Sequence, residues 1–266
     1  MVKEVNLITL RAALGDLPLG GIRYFQTVDS TNDRAIAWAA EDASDMSLVI
    51  ADEQTSGRGR NGHEWYSPAG VSLYFSLILH LDKVETRSIV LFSALGSLAV
   101  VQAIKQIDGS LDPEIKWPND VLLNNKKVCG VLTEASWIGD QIESLVLGVG
   151  LNVSRGSVPP AETLNFPATS LENLIHGKIE RLDLLHNILM AIADWRKRME
   201  TSTFIDALQD KLAYRGEMVT IWSENSQPRA GIITGLDSDG GLCLQEKNGQ
   251  KFKVYYGEVH LKPPRL

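Results

Sequence analysis

Residues 115–135 read IKWPNDVLLNNKKVCGVLTEA. Two short β-rich pieces, Ile115-Lys116-Trp117 and Val121-Leu122-Leu123, lie either side of Pro118, and Asn124-Asn125-Lys126 supplies a hairpin turn into a longer strand over 128–135. Hairpin-connected strands interspersed with helices, without strict strand–helix alternation, predict an α+β fold rather than a doubly wound one. Outward from this hairpin, residues 47–51, 71–81 and 145–153 also read as strands, and 89–107 is a long apolar, alanine-containing segment of helical period. Leu184, Leu185, Ile188, Leu189, Ile192 and Trp195 repeat at helical spacing, with a second helix expected over 204–212. Ser30 and Asp33 stand at capping-box spacing before an alanine-rich stretch, so a helix should start there.

Beyond Gly216 the texture changes to short β-rich pieces separated by turns such as Asp239-Gly240-Gly241 and Asn248-Gly249. That spacing predicts a small C-terminal β-barrel over 216–266, after a larger region over 1–215. A chain of 266 residues with 44% hydrophobic and 22% charged residues has ample material for one large core and a small appended one. The net charge of -7 argues against a protein whose main task is gripping DNA or an anionic membrane. Cys129 and Cys243, far apart in apolar runs, fit buried thiols rather than a disulfide or metal spacing. With neither a signal-peptide pattern at the N-terminus nor a long unbroken apolar run, a cytoplasmic setting is expected.

Four segments carry chemistry. Gln54-Thr55-Ser56-Gly57-Arg58-Gly59-Arg60-Asn61-Gly62-His63-Glu64-Trp65 combines glycines that let backbone N–H groups approach an anion with two arginines suited to carboxylate or phosphate. On its own it reads equally as a solvated loop. Lys116, Asn119 and Asp120 could face a pocket from a strand end, with oxygens that suit a ribose hydroxyl or Mg²⁺, or form an ordinary Asx turn. Gly130 sits inside a strand entered by Lys126 and Lys127, and Gly148 and Gly150 sit inside another. Strand glycines mark bulges or places where a ligand or another backbone comes close, so two thinned strands make a cavity floor credible.

In this order the segments resemble the biotin protein ligase family. Its pattern runs DSTN, Q-x-x-GRGR-x-G-x-x-W, KWPND, K-[LV]-x-G-[IV]-L-x-E and G-[IVA]-G-[IL]-N; here these are residues 29–32, 54–65, 116–120, 127–134 and 148–152. The resemblance implies a mixed-sheet catalytic domain of the biotin/lipoate ligase type. It implies activation of biotin by ATP to biotinyl-5′-AMP with release of pyrophosphate, then transfer to a lysine of a biotin carboxyl carrier domain. By the same resemblance Arg58, Arg60 and Lys127 offset the repulsion between the reacting anions. Biotin is expected to meet Ser30, Thr31, Asn32 and Gln54, the loop residues Gly57, Arg58, Gly59 and Arg60, and Lys127, with Gly130, Gly148 and Gly150 leaving room for its bicycle. ATP and its Mg²⁺ are expected near Arg60, His63, Trp65, Lys116, Asn119, Asp120 and Asn152, and no metal ligand is assigned.

Many members carry arginines where this chain has Asn61 and His63. The short stretch before Tyr24 leaves no room for the helix-turn-helix domain of some members, so a ligase without a DNA-binding role is expected. A homodimer through an exposed sheet edge stays open. The rival readings are a lipoate or octanoate ligase, and a non-enzymatic nucleic-acid-binding protein using the arginine–glycine loop.

Overall fold

The computed structural model describes residues 5–81, 89–138, 141–175, 177–222 and 227–261. In chain order the larger region comprises α1 (Leu7–Leu14), β1 (Gly21–Val28), α2 (Thr31–Ala39), β2 (Ser47–Gln54), β3 (Ser72–His80), α3 (Ile89–Ile107), β4 (Glu114–Lys116), β5 (Asp120–Leu123), β6 (Lys126–Ile138), β7 (Gln141–Asn152), α4 (Arg181–Arg196) and α5 (Ser202–Asp210). Its strands form one seven-stranded sheet in the order β1-β2-β3-β7-β6-β5-β4. Only β1 and β2 run parallel; the other neighbours are antiparallel. This is the expected mixed-sheet α+β fold. The turn at Asn124 and Asn125 has φ of 51° and 58°, left-handed at both positions, as a two-residue hairpin requires.

Strand alternation decides which face does what. Leu145, Leu147, Val149 and Leu151 of β7 and Cys129 and Val131 of β6 point to the face covered by α3 and α4, where they join Leu73, Phe75 and Leu77 of β3 in the main core. The in-between positions point the other way. Near α2 they are apolar, Val49, Ile78 and Val146 packing on Ala35 and Ala39; farther along, Gly130, Gly148, Gly150 and Asn152 line an open cavity instead. α3 is long and apolar enough to cross a membrane by length and composition, yet 61% of its apolar stretch is inside the fold. Two elements, α1 and β1, have no counterpart in the sequence expectations. β1 is an edge strand whose side chains are mostly half-buried or exposed, so no apolar alternation marks it.

The C-terminal strands β8 (Met218–Trp222), β9 (Arg229–Leu236), β10 (Leu242–Gln245), β11 (Lys251–Val254) and β12 (Glu258–His260) form a second, antiparallel sheet in the order β11-β10-β9-β8-β12. The expected barrel is not closed: β11 and β12 are the two edges, with no ladder between them among the described residues. Its interior, Val219, Ile221, Ile233, Leu242, Leu244 and Val259, is instead sealed by Trp117, Leu122, Leu212, Ala213 and Tyr214 from outside the sheet. Borrowing this apolar material removes the need for strand closure. The Trp117 indole also donates to the Gly240 carbonyl at 3.0 Å, fixing the small sheet beside the β4–β5 hairpin.

Trp117→Phe keeps the apolar ring but leaves the Gly240 carbonyl without its donor, so unfolding in urea should show a loss of about 1–3 kcal/mol. A change within about 0.5 kcal/mol would mean that this bond does not hold the two sheets together.

Candidate functional site

The open face carries a cavity of about 580 Å³, bounded by the N-terminus of α2, the loop between β2 and β3, the glycine-bearing parts of β6 and β7, the β4–β5 hairpin, the segment 157–168, and β12. Every residue expected above to meet biotin or ATP lines it except Gly57. Gly57 packs beneath the loop, where a methyl group would fall 2.5 Å from the Trp65 carbonyl, so its smallness serves loop closure rather than ligand contact.

At one end lies a neutral hydrogen-bonded network. Ser30 caps α2 through the Asp33 N–H, at 3.4 Å, but the Asp33 carboxylate turns to Arg58 and leaves the expected capping box half-made. Thr31 donates from both its backbone N–H and its hydroxyl to Gln54 Oε1, at 2.9 and 3.1 Å, and Gln54 Nε2 donates to Ser67. Ser76 Oγ sits 2.8 Å from Thr31 Oγ1 and 2.6 Å from Asn32 Oδ1, while Asn32 Nδ2 donates to Glu134 at 2.6 Å. Ser30, Thr31 and Asn32 are all buried. Partners on every side hold these side chains in fixed rotamers before any ligand arrives.

The loop is folded, not loose. Gly59 N donates to the His63 carbonyl at 2.7 Å and Trp65 N to the Gly57 carbonyl at 2.9 Å, which turns the chain sharply at Arg60-Asn61-Gly62. That turn places the Trp65 indole against Gly130 and Gly150, which face one another in the β6–β7 ladder. A methyl group at Gly150 would fall 2.5 Å from the indole, one at Gly130 3.0 Å, and one at Gly148 2.1 Å from Asn32 Oδ1. The space a side chain would need at these glycines is therefore occupied by Trp65 and Asn32, while all three glycines still line the cavity. Trp65 Nε1 is buried without a hydrogen-bond partner, a donor on the cavity side of the sheet.

The other end is cationic. Lys127 Nζ lies 2.6 Å from Asp120 Oδ1 and Lys116 Nζ 3.7 Å from Asp120 Oδ2, so two ammonium groups flank one carboxylate. Burial, opposed by Asp120, pulls the Lys116 ammonium below its usual range, and its charge also lies 4.7 Å from the Phe166 ring centre. Arg60 Nη1 reaches Asn119 Oδ1 and the Gly257 carbonyl, both at 3.3 Å; burial lowers its pKa, against the pull of Glu258 and Asp120. Asn119 is further committed by an Nδ2 bond to the Val131 carbonyl at 2.5 Å, and Asn152 by one to Thr169 at 3.1 Å. Arg58 is already neutralised by Asp33 and Glu134.

Glu134, Phe166, Glu258 and His260 belong to the site but were not singled out from sequence. Glu134 stood inside a quoted motif. Glu258 and His260 come from the C-terminal sheet, nearly two hundred positions from the loop they face, and no local pattern flags such a contact. The Glu258 carboxyl is pulled down to about 2, chiefly by its bond to His260, with Lys116 and His63 also favouring the charged form against the cost of burial.

Residues 24–152 match the Biotin/lipoate A/B protein ligase family, and residues 215–262 the Biotin protein ligase C terminal domain. The bifunctional ligase/repressor BirA of Bacillus spizizenii is 33% identical over 244 residues, covering 90% of this chain and 73% of that one. The biotin–[acetyl-CoA-carboxylase] ligase of Paracoccus denitrificans is 31% identical over 241 residues, 86% of this chain and 98% of the other. Among solved structures, the Aquifex aeolicus biotin protein ligase in complex with biotin and ATP superposes with a TM-score of 0.76 at 29% identity, covering 90% and 97%. With a cavity that sets a polar hydrogen-bonded network opposite a cationic cluster and relatives matched over 73% to 98% of their own length, the chain belongs to the biotin protein ligase family.

Proposed function

We propose that this chain condenses biotin with ATP to biotinyl-5′-AMP, releasing pyrophosphate, and then passes the biotinyl group to a lysine of a carrier domain. The observation that carries the reading is the two-ended cavity: a fixed, uncharged hydrogen-bonding end suited to the ureido ring, and an end where Lys116, Lys127 and Arg60 converge. Residues 1–215 are read as the catalytic region and 216–266 as the module that borders the nucleotide end. The acceptor is read as the biotin carrier of acetyl-CoA carboxylase, on the name of the Paracoccus relative. A cytoplasmic setting suits both substrates.

In the first step a carboxylate oxygen of biotin attacks the α-phosphorus of ATP and pyrophosphate leaves. Two anions are forced together, and charge builds on the α-phosphoryl oxygens, so preorganised cations lower the barrier most when they are shielded from water. Lys127 fits this role: it stands beside Gly130 and Trp65 and turns from Asp120 to phosphate with little motion. Lys116 is buried beside it, and Arg60 secures the loop from above. Arg58 reaches the biotin carboxylate by exchanging one of its own two carboxylate partners. In the second step the acceptor's neutral lysine amine attacks the acyl carbon and AMP leaves, so the chain need not supply a nucleophile. Among the described residues no three carboxylate, histidine or thiol groups converge on a metal. Asp120 is flanked by two lysines, so Mg²⁺ enters on the ATP phosphates as part of the substrate.

The direct test is ATP–pyrophosphate exchange with biotin, lipoate or neither. Biotin should support exchange and lipoate should not; exchange with lipoate alone would replace this reading with the lipoate one. Lys127→Met should lower the biotin-dependent rate by about 10²- to 10³-fold with the fold intact by circular dichroism, and a loss under about threefold would remove Lys127 from the chemistry. Gly150→Ala should unseat the Trp65 indole and raise the KM for biotin by about tenfold or more, equivalent to about 1.4 kcal/mol. An unchanged KM together with unchanged tryptophan emission would show that the indole does not rest on this glycine in solution.

A further inference from the structure

The cavity is closed on one side by the C-terminal sheet, and the closure runs through two consecutive residues. Gly257 offers its carbonyl to Arg60 Nη1 at 3.3 Å. It does so at a φ of 125°, where a side chain would also fall 2.7 Å from the Trp222 carbonyl, so only glycine turns that carbonyl towards the loop. Glu258 accepts from Asn61 Nδ2 at 3.1 Å, and its carboxylate lies 3.8 Å from His63 Nε2 on the loop and 3.5 Å from His260 Nε2 on its own strand. Arg60, Asn61 and His63 are thus tied to one short stretch of the second module. These are the loop positions that stand over the cationic end of the cavity.

The remaining charged groups facing Glu258 are cations as well, Arg60 from the loop and Lys116 from β4. We propose that Glu258 is a positioning residue for the adenylation site, clasping the arginine loop to the C-terminal module through Asn61, with His63 and His260 beside its carboxylate. Glu258 is held in its charged form, so the loop meets a carboxylate that Asn61 Nδ2 bonds directly, beside the Gly257 carbonyl that takes Arg60. Because His63 is largely exposed, its pairing with Glu258 is screened and its effect is a matter of a few-fold, weakening with salt.

The inference leans on the ligase reading only for one of its two readouts. Hydrogen–deuterium exchange over residues 57–65, measured on the full chain without ligands at about pH 6, should rise about three- to fivefold in Glu258→Gln and return partway in Glu258→Asp, with α3 unchanged. Release of preformed biotinyl-5′-AMP should be about threefold faster in Glu258→Gln than in the natural chain. Equal loop exchange in Glu258→Gln and the natural chain, or equal release of the adenylate, would overturn the clasp. If no adenylate forms with biotin and ATP, the ligase reading fails and the exchange comparison alone decides the clasp.

Discussion

One ladder position in the central sheet has glycine on both strands, Gly130 opposite Gly150, with Gly148 one alternation further along. Any side chain there would displace Trp65 or Asn32, and the rest of the site depends on those two residues being seated. Trp65 anchors the far end of the arginine loop, which brings Arg58 to Glu134 and Arg60 to Asn119. Asn32 joins the N-terminus of α2 to Ser76 and Glu134. Removing three side chains from a sheet weakens it locally. Here the loss is offset because an indole and an amide from elsewhere in the chain fill the space.

The electrostatic design follows from how the cations are held at rest. Arg58 carries two carboxylate partners, Lys127 and Lys116 share Asp120, and the half-buried Arg60 bonds two neutral oxygens within the field of Glu258 and Asp120. Buried or half-buried charge without a counter-charge is costly, so the fold needs Asp120 and Glu134 beside these cations. In the proposed reaction, a carboxylate or phosphate would take over contacts already made, and its binding would depend on the difference between two ion pairs rather than on the full attraction of a free one. At the other end the hydroxyls and amides are matched to one another and, through Asn32 Nδ2, to the Glu134 carboxylate that also pairs with Arg58.

Much of the fold was legible because it rests on local signals. Asparagine pairs at 124–125 mark a turn, the apolar period of 89–107 marks a helix, and Ser30 marks a cap, each through physics acting within a few residues. β1 escaped because an edge strand with half-exposed side chains carries no alternation. The open C-terminal sheet escaped because its core is completed by Trp117 and Leu122, more than ninety positions earlier in the chain. In the site, glycines in two strands pointed correctly to a close approach, but the sequence does not say what approaches, and the occupants are the chain's own Trp65 and Asn32. Glu258 and His260 were invisible for the same reason as the open sheet: only tertiary folding brings them to the loop.

The account as a whole stands on the chain's loading biotin onto a carrier, and the intact mass of a biotin carrier domain after incubation with the protein tests that most directly. With biotin and ATP together, the carrier should gain one biotinyl group, mapping to a single lysine, and should gain nothing when either substrate is omitted. A carrier that stays unmodified under those conditions, or that accepts a lipoyl group instead, would contradict the account.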